Sequence, residues 1–415
     1  PNGYIIKVYI SNIRGVISPL SKGGNMNNQI YLDNAATTYP KPEVVYQTMD
    51  RFLREECVNA GRGSYKLARN SVELIDETRR LLLELVNANS SDRVIFSPSA
   101  TVATNQVLRG LNWKDIKNVY VSPFEHNAIM RTLHHLQKYN DFEINIIPFD
   151  NITFELKEDD LRVIYSQKKP DLIIMSHVSN VTGYILPIGK CHELAKAYNP
   201  INIVDCAQSL GVVDVNVKEE FKECDFIIFA GHKSLYGPFG IGGFYILNSK
   251  IVLNEVITGG TGSDSTNLEM PKDSEAYYEA GSYNMHAVSG LNAALKWIKK
   301  VGTSNIYAHK KELTDNLICR LEEIDGIEIY IPEDLENHIG VVSFNIGEYS
   351  AEDLGKILSD EYNISVRTGH HCAPMVGEFL DGYAVNGTVR ISMGYFNEEE
   401  EVNEFLQAIG DIIRG

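Results

Sequence analysis

Short apolar runs recur through the first part of the chain, and stretches compatible with helices separate most of them. Six runs occupy residues 94–96, 119–121, 144–147, 172–175, 201–204 and 226–229, and a seventh follows at 242–247. Runs this apolar are expected to be buried on both faces, as in a mainly parallel sheet covered by helices. The sequence therefore predicts an α/β fold, with a large domain built on a mainly parallel seven-stranded sheet flanked by helices.

The pattern changes after a helix expected at residues 289–301. Helices are then predicted at 303–324, at 350–360 and from about Glu398, with strands at 327–331 and 341–344. This order indicates a smaller C-terminal α+β domain. We place the large domain at 26–295 and the small domain at 296–415. Residues 1–25 are treated as an extension, either added sequence or a weakly ordered segment.

Composition and charge narrow the range of partners. The formal net charge is -17, which argues against nucleic acid or an anionic membrane as a bulk partner. The six cysteines are scattered without a C-x-x-C pair, which argues against a disulfide framework and a structural zinc site. The apolar stretch near the start is too short and too polar to span a bilayer, and it lacks the features of a secretory signal. We expect a cytoplasmic protein that binds no metal.

Polar residues follow the predicted strands at the edge where ligands of such sheets collect. Ala100 and Thr101 follow the run that ends at Phe96 and open a helix, where free N–H groups and a hydroxyl can hold a phosphate. The alternative is a plain capped turn. His126 follows the run that ends at Val121, and it can stack on a flat heteroaromatic ring unless it is an ordinary loop histidine.

Two further strand ends carry ionisable groups. Asp205, with Gln208 three residues later, can pair with a protonated pyridine nitrogen, although it can also be a helix N-cap. His232 and Lys233 follow the run that ends at Phe229. A half-buried lysine loses its proton readily and becomes a nucleophile toward aldehydes.

Near the C-terminus, Cys372 lies among a cation, two imidazoles and a glycine in the segment 367–374. Zinc binding and a purely structural cysteine are the alternatives to an activated thiol. Arg390 can bind a substrate carboxylate through two hydrogen bonds, or it can form an inter-strand ion pair. A Schiff-base lysine and an activated cysteine together suggest covalent chemistry on an amino acid, with a cofactor as the electron sink.

Taken together, these segments resemble the cysteine desulfurase family of class V, fold-type I pyridoxal-phosphate enzymes, from Ile30 to the C-terminus. The matching motifs occur in the family's order at residues 31–37, 125–126, 177–183, 204–208, 231–233, 279–282 and 367–373. The form Arg-Thr-Gly-His-His-Cys-Ala of the last motif is similar to the group II, SufS-like branch.

The resemblance implies a role for each matching residue toward pyridoxal 5'-phosphate. Lys233 holds the cofactor and moves the substrate Cα proton, and His126 stacks on the ring. The remaining cofactor contacts are Asp205 to the pyridine nitrogen, Gln208 to the ring hydroxyl, and Thr101, the Ala100 position, His232 and a second subunit's Ser282 to the phosphate.

The resemblance also implies the substrate contacts and the reaction. Asn180 and Arg390 hold the substrate carboxylate, with Asn34 and Ala35 beside the substrate. Cys372 attacks the substrate sulfur, which leaves alanine and a persulfide on the enzyme. The expected partners are L-cysteine or selenocysteine, a second copy of the chain in a homodimer, and a sulfur-acceptor protein.

The chain departs from the family's pattern at several positions. Alanine stands at Ala230 where serine is common and at Ala100 where threonine is usual, and both changes weaken the phosphate site. Ser234 is an extra residue after the lysine, and residues 59–63 lack the histidines usual there. These departures suggest a divergent subgroup, although each residue that the chemistry requires is kept.

Several other functions fit the same residues. A selenocysteine lyase, or an enzyme that accepts both substrates, would use the same groups. Another class V aminotransferase or lyase would leave Cys372 incidental. A catalytically idle sulfur carrier or scaffold protein would bind no pyridoxal. The leading hypothesis is an L-cysteine desulfurase.

Overall fold

The central sheet contains the strands that the apolar runs predict. The computed structural model describes residues 29–60, 63–262, 266–347, 349–380 and 387–414, so the predicted extension at 1–25 lies outside the described residues. After a short β1 (Ile30–Tyr31), the sheet strands are β2 (Arg93–Ser97), β3 (Asn118–Val121), β4 (Glu143–Ile146), β5 (Leu172–Ser176), β6 (Ile201–Asp205), β7 (Phe226–Ala230) and β8 (Gly242–Ile246). The prediction of an α/β fold with a mainly parallel seven-stranded sheet is confirmed.

The strand order brings the carboxyl ends of every sheet strand except β8 to one edge of this sheet. The order is β2-β8-β7-β6-β5-β3-β4, in which β8 pairs antiparallel with both neighbours and the pairs from β7 to β4 are parallel. Strands β3, β5, β6 and β7 therefore end side by side. The border strand β4 differs from the prediction of burial on both faces, since Ile146 is 44% exposed. Among the described strands it pairs with β3 alone, which leaves its outer side without a strand neighbour in this part of the chain.

Helices cover the sheet and continue into the C-terminal part. They are α1 (Glu43–Glu55), α2 (Lys66–Leu85), α3 (Ala100–Gly110), α4 (Asn127–Leu136), α5 (Glu158–Gln167), α6 (Ile188–Ala195), α7 (Met285–Val301), α8 (Thr303–Glu322), α9 (Ala351–Tyr362), α10 (Val376–Phe379) and α11 (Glu399–Arg414), with short 3-10 turns at Lys196–Tyr198, Glu275–Tyr277 and Leu335–Asn337. Of these, α3 is the next element after β2 and α4 is the next element after β3. Their N-termini therefore lie at the carboxyl edge of the sheet, where ligands of such folds usually bind. Helix α7 packs against α1 and α2.

A second, antiparallel sheet lies in the C-terminal part. Its strands are β9 (Ile327–Tyr330), β10 (Val341–Ile346), β12 (Arg367–Gly369) and β13 (Thr388–Ser392), in the order β12-β13-β10-β9. The short β11 (Ile364–Ser365) pairs in parallel with β1, and Ile30 and Leu32 are buried in the same core cluster as residues of this sheet and of α8, α9 and α11. The first described strand therefore packs with the C-terminal unit.

The predicted division at residue 295 stays a prediction, but the packing bears on where a boundary can fall. Leu295 lies inside α7 and is 3% exposed, in the core cluster that also contains Val45 and Phe52 of α1. The helix ends at Val301, and Gly302 follows with a φ of 91°. A break at Gly302 keeps the helix with the core it buries, whereas a break at 295 cuts through it.

Among the described residues, no helix combines the length and the apolar character needed to cross a membrane.

Candidate active site

A cavity of about 220 Å³ lies where the parallel strands end. It is lined by most of the predicted site residues, namely Ala35, Ala100, Thr101, His126, Asn180, Asp205, Gln208, His232, Lys233 and Arg390. These residues come from separate turns, which the sheet order places side by side. Cys372 lies next to this cavity, and Arg367 of the cavity wall contacts it.

Lys233 lies in the turn that follows β7, with its amine largely removed from water. Burial lowers the pKa of Lys233 to about 8; the carboxylate of Asp205 opposes this shift, and Arg390 and Arg367 add to it. A sizeable fraction of the amine is therefore neutral near physiological pH, as a nucleophile toward an aldehyde requires.

The turn around Lys233 is held by the N-terminal segment. The main-chain carbonyl of His232 accepts hydrogen bonds from the side chain of Thr37 at 2.9 Å and from Nζ of Lys41 at 2.7 Å. The hydroxyl of Thr38 donates to the main-chain carbonyl of Lys233 at 3.1 Å. These contacts fix the backbone that carries the amine.

Asp205 is the last residue of β6 and is 7% exposed. Its Oδ1 accepts a hydrogen bond from the main-chain N–H of Ala207 at 2.9 Å, and burial raises its pKa. A cationic ring nitrogen beside this carboxylate would offset the cost of burying it. Gln208 donates through Nε2 to the carbonyl of Ala35 at 2.9 Å, which ties the N-terminal segment to the same wall.

His126 is the N-cap residue of α4, and this contact assigns its tautomer. Its Nδ1 accepts a hydrogen bond from the main-chain N–H of Ala128 at 3.0 Å, so the proton of the neutral ring lies on Nε2. Burial lowers the pKa of His126 to about 3, with a further contribution from Lys233. The cavity wall therefore has a neutral imidazole with one free N–H donor.

The N-terminus of α3 and His232 line the cavity, and the sequence predicts that they bind a phosphate there. Ser99 caps the helix by accepting from the N–H of Val102 at 3.2 Å, so the predicted capped turn is present. The first N–H groups of a helix, here those of Ala100 and Thr101, have no partner within the helix and point toward an anion. Among the described residues, Nδ1 of His232 is buried without a hydrogen-bond partner, which leaves it available to an anion.

Cys372 lies in a turn at the rim of the cavity. Its Sγ accepts a hydrogen bond from Nη2 of Arg367 at 3.1 Å, and its carbonyl accepts from the N–H of Asn127 at 2.7 Å. This hydrogen bond puts a cationic donor directly at the sulfur of a half-exposed thiol. We did not assign a role to Arg367 from the sequence, although its position five residues before the cysteine was the available signal.

Arg390 is fully buried and forms the predicted ion pair. Its Nη2 donates to Oδ1 of Asp33 at 2.6 Å, and its Nη1 donates to the carbonyl of Asn180 at 2.9 Å. Its Nε is buried with no hydrogen-bond partner among the described residues. The guanidinium is part of the cavity wall, so the carboxylate-binding role stays a prediction beside the ion pair.

Three predicted site residues do not line the cavity: Cys372 lies next to it, and Asn34 and Ser282 lie elsewhere. Asn34 is buried, and its amide donates to the carbonyl of Ser392 and to Oδ1 of Asn397. These bonds hold the N-terminal segment on the C-terminal unit, and the substrate contact of Asn34 stays a prediction. Ser282 is exposed and its hydroxyl accepts from Asn59 at 3.3 Å, so its reach into a second subunit's site stays a prediction.

Glu125 was missed as a site residue although it directly precedes His126. Its carboxyl group is fully buried and accepts hydrogen bonds from the hydroxyl of Ser122 and from the N–H and hydroxyl of Ser176. Burial raises the pKa of Glu125 to about 7. Through these bonds, Glu125 connects the segment after β3 with the end of β5.

Within the described part of the chain, no three His, Cys, Asp or Glu side chains are grouped so that they could hold a metal ion.

The chain is similar to known proteins along nearly its whole length. Residues 30–405 match the family model described as Aminotransferase class-V. A probable cysteine desulfurase of Pyrococcus abyssi is 32% identical over 397 residues, which cover 93% of this chain and 94% of that relative. A cysteine desulfurase of Escherichia coli (strain K12 / DH10B) is 30% identical over 413 residues, 98% of each chain. The apo structure of the cysteine desulfurase from Thermococcus onnurineus NA1 aligns with a TM-score of 0.85 at 30% identity, covering 94% of this chain and 96% of that one.

Proposed function

The chain belongs to the class-V aminotransferase family, among its cysteine desulfurases, and we propose that it uses pyridoxal phosphate to convert L-cysteine to L-alanine while Cys372 takes the sulfur. The observation that carries this assignment is the position of Arg367. It lines the cavity that contains Lys233, and its guanidinium donates to the thiol of Cys372 at 3.1 Å. One side chain therefore connects the amine and the thiol that the reaction needs.

The residues of the cavity fit pyridoxal phosphate. The unpartnered Nδ1 of His232 and the N-terminus of α3 suit its phosphate, and the Asp205 carboxylate suits its ring nitrogen. Lys233 supplies the amine that holds its aldehyde. When bound, the cofactor supplies an electron sink for the amino acid. The alanines at Ala100 and Ala230 remove two hydroxyls from the phosphate end, which leaves main-chain N–H groups as its principal donors.

We assign proton transfer to Lys233 and a hydrogen-bonding role to His126. With a pKa of about 8, Lys233 can take the proton from the substrate Cα and return it within one turnover. The ring of His126 is neutral, so its Nε2–H can donate a hydrogen bond to a ligand in the cavity while keeping its proton. Arg390 and Asn180 lie on the same wall, where they can hold the substrate carboxylate.

The thiolate of Cys372 forms a sulfur–sulfur bond with the substrate sulfur as the carbon–sulfur bond of the substrate breaks. The electron pair of the broken bond stays with the carbon skeleton, which gains a proton and leaves as alanine. The substrate sulfur remains on Cys372 as a persulfide. The enzyme then needs an acceptor of this sulfur, for which we propose a thiol-bearing protein.

The finer predictions rest on the family alone. We include in the proposal a homodimer, since the partner's Ser282 is expected at the phosphate, as well as the SufS-like branch and a cytoplasmic location. An aminotransferase or lyase with an incidental cysteine is disfavoured by the hydrogen bond between Arg367 and Cys372. A selenocysteine lyase uses the same groups, so the assay has to separate it from a desulfurase.

The test is the formation of alanine from L-cysteine and from L-selenocysteine, measured in parallel for the wild type and Cys372→Ser. We expect alanine and sulfide from cysteine with the wild type, and no sulfide with Cys372→Ser. Lys233→Ala should lose the visible absorbance of a lysine-bound pyridoxal. Ordinary sulfide release by Cys372→Ser would refute the role of the thiol, and turnover of selenocysteine alone would identify a lyase.

A further inference from the structure

Asn180 contacts both the turn that carries Cys372 and the arginine that faces the substrate. Its side-chain Nδ2 donates a hydrogen bond to the main-chain carbonyl of His371 at 2.6 Å. Its main-chain carbonyl accepts a hydrogen bond from Nη1 of Arg390 at 2.9 Å. The residue is 6% exposed and lines the cavity, so its side-chain amide contacts the turn while its backbone contacts the arginine.

The turn at Cys372 needs contacts from outside itself. His371 and Cys372 have φ angles of 49° and 62°, in the left-handed region that residues other than glycine rarely adopt. Besides Asn180, the N–H of Asn127 bonds the carbonyl of Cys372, and the ring of His371 shares a hydrogen bond with Thr388 at 2.8 Å. The position of the thiol therefore depends on these neighbours.

We propose that Asn180 is a positioning residue that fixes the thiol of Cys372 relative to the substrate carboxylate. A primary amide has two N–H donors in one plane. One N–H of Asn180 donates to the carbonyl of His371, and the other can donate to a substrate carboxylate on the cavity side. The side-chain amide of Asn180 then holds the turn that carries Cys372 at a fixed distance from the substrate carboxylate. The carboxylate half of this role rests on the proposed function, whereas the contact with the turn does not.

Two measurements on the pyridoxal-phosphate-loaded protein separate these halves. The first is the rate at which iodoacetamide alkylates Cys372 without any amino acid, followed by peptide mass spectrometry. The second is the affinity for L-alanine, followed through the visible spectrum of the cofactor. L-alanine carries the substrate carboxylate but no sulfur, so it does not react with the thiol.

The variants are Asn180→Ala and Asn180→Asp, with Thr388→Val as the matched control. An ionised aspartate has the shape of asparagine without its N–H donors. Both Asn180 variants should alkylate Cys372 several-fold faster and bind L-alanine several-fold more weakly than the wild type. Thr388→Val removes another support of the turn, so it should raise the alkylation rate and leave the affinity for L-alanine unchanged.

The other cysteines report on folding in the same digest. Cys191, Cys206 and Cys224 are buried, and their alkylation would reveal an opened fold. A change in only one of the two measurements in both Asn180 variants overturns the proposal. Failure to form alanine from cysteine would refute the proposed function, yet faster alkylation in the Asn180 variants would still support the contact with the turn.

Discussion

The ammonium of Lys41 donates a hydrogen bond to the main-chain carbonyl of His232 at 2.7 Å, on the peptide that joins His232 to Lys233. The same ammonium donates to the hydroxyl of Thr38 at 2.8 Å, and no salt bridge to it is present among the residues described. Burial lowers the pKa of Lys41 to about 7. A partly buried cation thus supports the turn of Lys233 without a carboxylate partner.

We predict that Lys41→Met weakens the binding of pyridoxal phosphate about fivefold, since one hydrogen bond to the turn contributes about 1 kcal/mol. The free energy of unfolding of the apoprotein should change by less than about 1 kcal/mol, because removing a buried ammonium offsets the lost bonds. Lys41→Arg keeps a charged donor and should keep the affinity. Fluorescence titration with the cofactor measures this effect, and equal affinities in all three proteins would contradict it.

The pH dependence of Lys233 should reveal the influence of Asp205. In the apoprotein, capture of pyridoxal by Lys233, trapped with borohydride and quantified by mass spectrometry, should rise with pH through about 8 as the amine loses its proton. The carboxylate of Asp205 favours the protonated amine, so Asp205→Asn should move the midpoint to lower pH. A midpoint that stays in place or moves upward would show that Asp205 does not act on Lys233 as described.

Arg367→Met should make Cys372 less reactive. The guanidinium donates to Sγ at 3.1 Å, and a hydrogen bond to a charged group contributes about 1.5–3 kcal/mol, so alkylation of Cys372 at neutral pH should slow by about tenfold or more. The exposed Cys57 and Cys319 are controls in the same sample and should react at unchanged rates. Equal rates for Cys372 in variant and wild type would count against an effect of Arg367 on the thiol.

Asp33→Asn should destabilise the fold. Arg390 is fully buried, and leaving a buried charge unpaired costs about 3 kcal/mol. Asp50→Asn is the matched control, because its pair with Arg54 is exposed on α1, where solvent screens it, so the free energy of unfolding should barely change. Urea denaturation followed by circular dichroism gives both values. Similar losses in the two variants would mean that burial of the Arg390 pair adds nothing.

The sequence predicted the parts of the fold that depend on local pattern. Apolar runs located the sheet strands, and polar residues after them located Asp205, His126 and Lys233 at one edge, because parallel strands end together. The exposure of Ile146 was not predictable, since it depends on β4 being a border strand. The resemblance supplied the roles, and those of individual residues remain predictions.

The pattern of apolar and polar residues could not predict contacts between residues that are far apart in the sequence. The amide of Asn34 bonds Asn397 across 363 positions, and the ion pair of Asp33 and Arg390 spans 357. Neither partner could be identified from spacing or composition. Arg367 differs from these residues because it belongs to the motif at 367–373. Only its hydrogen bond to the thiol of Cys372 was not predicted.

The packing of β1 has a mechanical consequence. Leu32 is buried in the core of the C-terminal unit. Six positions later, the hydroxyl of Thr38 donates to the main-chain carbonyls of His232 and Lys233. A segment this short reaches at most about 20 Å when fully extended. The segment folds through a turn at residues 34–36, so a displacement of the C-terminal unit beyond what this turn can absorb pulls on the peptide that carries the amine of Lys233.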